Sequence, residues 1–280
     1  MSKIIIIADF FVNEIMGGGE INNDELIKIL RKKKYEVDEI KSINVTPRYL
    51  KELPLDTKII VSNFIQLSKE SKQIIQNEKS YLIYEHDHKY VKTRNPADYK
   101  NFLAPKEHII NYNFYKNAKS VLCQSTFHSD IVKSNLHFDN ILSLSGNLWS
   151  PSSLELMEKI CKIDKGQKYS IINSNTWHKN TKGTVYLCET KKWEYDLINP
   201  GSYSKFLSDL GKNDKFIFLP KTPETLSRIV VEARMMGMSV ITNNLVGATK
   251  EAWFSQKGPE LIETVLKMRK SIPEKVLQSF

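Results

Sequence analysis

Four consecutive isoleucines and an alanine, Ile4 to Ala8, form an unbroken aliphatic run near the start of the chain. A run apolar at every position, rather than at every second one, suits a strand buried on both faces at the centre of a parallel sheet. Gly17-Gly18-Gly19 then makes a loop. Glu20 to Leu30 follows, with Leu26, Ile29 and Leu30 at helical spacing and acids in the first turns, where the helix dipole favours them. Strand, glycine loop and helix open a βα unit.

The alternation continues. Strands are expected at Tyr35 to Val37, Lys58 to Ser62, Tyr81 to Tyr84, Ser120 to Gln124 and Ile141 to Leu144, with a helix near Phe127 to Ser134. The turn-rich stretch Gly146 to Ser153 marks a boundary. Beyond it come a helix over Pro151 to Cys161 and strands at Tyr169 to Asn173, Thr184 to Leu187, Lys215 to Leu219 and Val240 to Thr242. A helix is expected over Glu224 to Met236, an amphipathic one over Pro259 to Lys270, and a short one after Pro273. The fold class is therefore α/β: two Rossmann-like domains, residues 1–148 and 149–280, with parallel sheets and flanking helices, facing each other across a cleft. At 280 residues the length suits two domains. Ligands in such sheets sit beyond the carboxyl ends of the strands.

Other classes are set aside on composition. Three widely spaced cysteines, Cys123, Cys161 and Cys188, form no CxxC pair, so they read as reduced thiols rather than zinc or redox sites. Met1-Ser2-Lys3 leads into an apolar run too short for a signal peptide, and no window is long enough for a membrane span. The expectation is a soluble, cytoplasmic protein without a transmembrane segment. The net charge of +9 suits phosphate-bearing partners, although lysines spread along the whole chain also fit a compositional bias.

The stretch richest in chemistry runs from Phe218 to Gly237 and holds two glutamates, Glu224 and Glu232. On a helix their spacing corresponds to a rise of about 12 Å and about 80° beyond two full turns, so both could serve one elongated ligand. A helix start also offers amides and positive charge to a phosphate. The plainer reading makes Thr222 an N-cap, Pro223 the first helical residue and Glu224 an ordinary first-turn acid.

This stretch resembles the donor-binding signature of family 4 glycosyltransferases, which have the GT-B fold. The resemblance implies that Glu224 lies by the donor sugar, that Thr225 and Leu226 present amides to the diphosphate, and that Glu232 binds the ribose. Gly17-Gly18-Gly19-Glu20 is similar to the family's glycine loop, which places Gly18 and Gly19 near the donor phosphates. Val121 to Asn147 is similar to the segment that closes the family's first domain. Lys182-Gly183 matches the Lys-Gly that follows a strand and an arginine, and Lys182 would neutralise the diphosphate. Asn173 or Ser174 stands at the arginine position, with His178 or Lys179 available to compensate.

Tyr84-Glu85-His86-Asp87-His88 follows a strand. The family has a histidine at the end of a comparable strand, close to the transfer point. His86 is therefore the catalytic candidate, beside Glu224 and Lys182, and His88 the second choice. A structural histidine is the competing reading, and no third metal ligand is spaced with them. Lys89 to Lys100 mixes bases, aromatics and a proline; His88, Lys92 and Arg94 are the acceptor-side candidates, against a plain solvated loop.

The expected activity is transfer of a sugar from a nucleoside diphosphate sugar to an acceptor hydroxyl, without metal or cofactor and, as the resemblance implies, with retention of configuration. The acceptor is a glycan, a lipid-linked or small molecule, or a hydroxymethylated base in DNA, as in bacteriophage base glucosyltransferases. A catalytically degenerate GT-B binding protein is the alternative of a different class. A Rossmann dehydrogenase ranks third, because the G-x-G-x-x-G fingerprint is absent.

Overall fold

The computed structural model describes residues 3–280. They divide into two compact units, one running to Leu148 and including Arg269–Phe280, the other Trp149–Met268. Chain order alone assigns 269–280 to the second domain; the structure places it with the first.

The first unit contains β1 (Lys3–Ala8), α1 (Gly18–Lys32), β2 (Glu36–Lys41), α2 (Pro47–Glu52), β3 (Lys58–Val61), α3 (Lys69–Glu78), β4 (Ser80–Glu85), α4 (Tyr112–Lys116), β5 (Val121–Cys123), α5 (Thr126–Leu136) and β6 (Ile141–Ser143). Its sheet has the order β2-β1-β3-β4-β5-β6, with every neighbour parallel. Ile4 to Ala8 are fully buried, as the aliphatic run demands of a central strand. The chain leaves β1 towards β2 and returns to β3 on the other side, so the switch point lies between β1 and β3. Gly18 and Gly19 are not loop residues, as the sequence reading has them, but the first turn of α1.

The second unit contains α6 (Pro151–Cys161), β7 (Gly166–Ile172), α7 (Thr181–Lys191), β8 (Tyr195–Ile198), α8 (Tyr203–Leu210), β9 (Asn213–Phe218), α9 (Arg228–Met235) and β10 (Ser239–Thr242). Its sheet is again parallel, in the order β10-β9-β7-β8, and its switch point lies between β7 and β9. The last helix, α10, runs over Pro259–Gln278 without the break expected at Pro273.

Two expectations fail here. The residues Thr184 to Leu187 lie in α7 rather than in a strand. Thr184 and Cys188 are buried one helical turn apart, and a parallel crossover from β7 to β8 needs a returning helix. The helix expected from Glu224 begins only at Arg228. Before it, Glu224 bridges to Val246 in parallel, its N–H donating to the Leu245 carbonyl at 2.8 Å and its carbonyl accepting from Gly247 at 2.9 Å. The 12 Å helical spacing between Glu224 and Glu232 therefore does not apply, and neither does the N-cap reading of Thr222.

Within the first unit Arg269 Nη1 donates to Glu25 Oε2 at 2.6 Å, and both side chains are largely buried. Removing one partner of such a pair strands the other charge, at a cost of about 3 kcal/mol. Arg269→Ala should lower the protection of α1 amides in native-state hydrogen exchange by roughly that amount, and adding Glu25→Gln should restore part of it. Unchanged α1 protection in the single variant would show that the pair does not hold the tail.

Candidate functional site

In the second unit, the parallel order puts the loops after β7 and β9 and the starts of α7 and α9 at the same edge of the sheet. There Lys179 Nζ donates to Glu224 Oε1 at 2.8 Å and lies over the Phe218 ring at 5.5 Å. The Lys221 N–H donates to the His178 carbonyl at 2.8 Å, which fastens the two loops together. Partial burial, with Lys179 alongside, lowers the His178 pKa. Asn180 Nδ2 donates to the Leu219 carbonyl at 2.8 Å. Gly183 makes room for that side chain, since a Cβ there would collide with Asn180 Oδ1. Gly183 is therefore required by packing, while its neighbour Lys182 is exposed in the first turn of α7.

Ser227 precedes α9 at φ 71°, no side chain caps the first turn, and Ser227 Oγ is buried with no hydrogen-bond partner. An uncapped helix start with a waiting hydroxyl suits an anion. Thr225 and Leu226 precede this turn, with the Leu226 carbonyl accepting from Ala248 at 3.0 Å. Asn173, after β7, donates through Nδ2 to Asn199 Oδ1 at 2.7 Å.

Glu232 differs from an open ribose ligand. It is 3% exposed, and its Oε1 accepts from Trp149 Nε1 at 2.9 Å and Tyr203 Oη at 2.6 Å. Arg228 Nε stands 3.6 Å from that oxygen, with its guanidinium over the Trp149 ring at 4.4 Å. Burial, with Glu232 next in effect, pushes the Tyr203 hydroxyl far up. Arg228 and Lys179 are thus the basic groups seated around the two glutamates. The sequence reading gave Arg228 no role and Lys179 only that of a substitute.

In the first unit, His86 lies just beyond β4, held in a chain of side-chain amides. Asn147 Nδ2 donates to Gln124 Oε1 at 2.9 Å, and Gln124 Nε2 to His86 Nδ1 at 2.7 Å. With Nδ1 accepting, the proton sits on Nε2, which donates to Asn23 Oδ1 at 2.8 Å. Gly19 permits this seat, because a Cβ there would meet the imidazole at 3.2 Å. Gly19 therefore acts on His86, and Gly18 opens α1, within the first unit. Nearby Glu20 accepts from Asn63 Nδ2 at 3.3 Å, and burial raises its pKa.

His88, an acceptor-side candidate, is 3% exposed and belongs to the core. Its Nδ1 bonds Tyr90 Oη at 3.1 Å, and its ring packs edge-on against the buried His128 at 5.0 Å. It cannot meet an acceptor from there. Arg94 is spoken for by Asp87, which also binds Lys89; Lys89 Nζ reaches Glu85 Oε1 at 2.8 Å, and Tyr115 donates to the other Glu85 oxygen. Lys92 is exposed. Among the described residues, no cluster of three or more His, Cys, Asp or Glu side chains could hold a metal ion.

No protein-family model matches the chain, and no curated protein matches it in sequence. Solved structures match it in fold. The catalytic domain of starch synthase IV from Arabidopsis thaliana, bound to ADP and acarbose, gives a TM-score of 0.57 at 10% identity, with 99% of this chain and 94% of that one covered. Anabaena Alr3699/HepE, in complex with UDP and glucose, gives 0.54 at 10% identity, over 97% and 90% of the two chains. An alpha-glucosyltransferase in complex with UDP and a 13-mer DNA gives 0.53 at 10% identity, over 98% and 90%. These are glycosyltransferases of GT-B fold, and the likeness establishes that fold for this chain. No helix of the described residues is long and apolar enough to cross a membrane.

Burial pushes the His88 pKa down to about 4 and that of His128 well below the usual value. Unfolded imidazoles take up protons near pH 6.5, so between there and pH 4 the unfolded chain binds protons that buried His88 refuses. Its stabilising contribution is complete above pH 6.5 and fades as pH falls towards 4, by at most about 3 kcal/mol. Urea midpoints measured from pH 7 to 4 should therefore fall less steeply in His88→Phe than in the parent. Equal slopes would refute a neutral, buried His88.

Proposed function

We propose that this chain is a glycosyltransferase resembling family 4, moving a sugar from a nucleoside diphosphate sugar to an acceptor hydroxyl without a metal and with retention. The observation that carries this reading is the Lys179–Glu224 pair at the switch point of the second sheet, beside the uncapped start of α9. Starch synthase IV bound to ADP and HepE bound to UDP share the fold.

In this reading the diphosphate lies along the edge where α7 and α9 begin. As the glycosidic bond breaks, negative charge accumulates on the leaving phosphate. Lys179, Lys182, Arg228, the first-turn amides of α9 and the Ser227 hydroxyl would meet it, preorganised around the leaving group. Thr225 and Leu226 set the approach to that turn. Glu224 faces the sugar hydroxyls, and Lys179 holds its carboxylate in place. Asn173 takes the adjacent place after β7. Glu232 acts through others: it fixes Trp149, Tyr203 and Arg228, so its carboxylate positions the nucleotide side of the site. His86, neutral with its proton on Nε2, orients the acceptor side rather than acting as a free base, because both ring nitrogens are engaged.

A second reading concerns the acceptor. Residues 86–119 carry seven Lys or Arg against three Asp or Glu, four of the chain's nine net positive charges. A glucosyltransferase of the same fold is bound to DNA. A hydroxymethylated base in DNA is the acceptor that this charge favours, with exposed Lys92 on the approach. Binding should then weaken steeply with salt, since phosphate contacts release counterions.

Purified protein given a panel of nucleotide sugars should bind and slowly hydrolyse one preferred donor. Glu224→Ala and Lys179→Ala should each lower turnover by roughly 100-fold. Glu232→Gln should raise KM more than it lowers kcat. A folded protein that binds no nucleotide sugar would support the degenerate-scaffold alternative instead.

A further inference from the structure

The excursion from β4 to β5 crosses from the carboxyl edge of the first sheet to its amino edge. α5 makes the same descent, its 11 residues spanning about 16 Å before His137. Between them, at the amino edge and away from His86, lies a cavity of about 740 Å³. That volume is within the range of about 300–1,000 Å³ used for small-molecule sites.

Its construction is specific. Phe102 sits at φ 61°, a conformation costly for a bulky side chain. Asn135 of α5 holds the strained loop with both ends of its amide, donating to the Phe102 carbonyl and accepting from the Ala104 N–H, each at 2.9 Å. The walls include Leu103, Pro105, Ile109 and Leu136, and Leu103 is half exposed. Two basic side chains, Lys106 and His137, also line it, and no carboxylate does. Among the described residues neither has an ion-pair partner.

We propose that this cavity binds the chain and head of an amphiphilic anion, a long alkyl group ending in a phosphate monoester. The aliphatic walls take the alkyl chain, and burial of its methylenes supplies the affinity. Lys106 and His137 take the phosphate through charge-assisted hydrogen bonds at the rim. The site is separate from the proposed donor site, and the proposal does not depend on that reading.

The test is calorimetric titration of the whole protein with dodecyl phosphate below its micellar concentration, beside dodecanol and inorganic phosphate. Dodecyl phosphate should bind, dodecanol roughly tenfold or more weakly, and inorganic phosphate not measurably. The double variant Lys106→Ala/His137→Ala should reduce dodecyl phosphate to the level of dodecanol. Ala104→Trp, which fills the cavity from its wall, should abolish both while leaving the thermal melt and nucleotide-sugar binding unchanged. Three results would overturn the proposal: no binding of dodecyl phosphate, binding unaffected by Ala104→Trp in a folded protein, or alkyl phosphate binding intact in the double variant.

Discussion

Every strand in both sheets is parallel to its neighbours, and this constraint organises the rest of the molecule. Parallel pairing forbids hairpins, so each strand must be followed by a crossover, and all crossovers in a sheet leave from one edge. The side chains that carry chemistry are therefore gathered by topology and not by proximity in sequence. Lys179, beyond β7, meets Glu224, beyond β9, because those strands are adjacent and their exits diverge at a switch point. The same geometry in the first sheet brings Asn23 of α1, His86 after β4 and Gln124 after β5 into one hydrogen-bonded chain.

In the first unit, His86 uses both ring nitrogens, and Glu85, Asp87, Lys89 and Arg94 pair with one another at the root of the excursion that follows β4. Groups so committed give rigidity and orientation. In the second, a buried hydroxyl at Ser227 has no partner and the helix beside it has no cap. A buried donor left waiting costs roughly 1–3 kcal/mol, a cost that a bound anion would remove. Arg228, held by Trp149 and Glu232, stands at the same helix start.

Most of the architecture was legible in the sequence because the periodic signals were strong. The aliphatic run of β1, the periodic face of α1 and the span Pro151–Cys161 of α6 each match the elements found. The errors came where local and tertiary signals compete. Thr184 to Leu187 has strand-like residues, but burial at Thr184 and Cys188 selects a helix. Pro223 and Glu224 read as a helix start, yet Glu224 pairs with Val246 instead, and the helix begins only at Arg228. β8, four residues of mixed polarity, shows no clear period, whereas α8 was legible, with Tyr203, Phe206, Leu207 and Leu210 at helical spacing, and was overlooked. At the site, Glu224 could be singled out from its motif. Arg228 could not, since its importance depends on Trp149 lying beneath it, far away in sequence. His88, ranked behind His86, lies two residues further on, and the sequence does not reveal that it turns into the core.

The central claim is that the second unit holds a nucleoside diphosphate at the edge where α7 and α9 begin. Crystals grown with UDP-glucose or ADP-glucose test it most directly. The account predicts density for the diphosphate within hydrogen-bond reach of Lys179 and the Ser227 hydroxyl, with the sugar against Glu224. A nucleotide bound elsewhere on the chain, with Ser227 and Lys179 untouched, would contradict it.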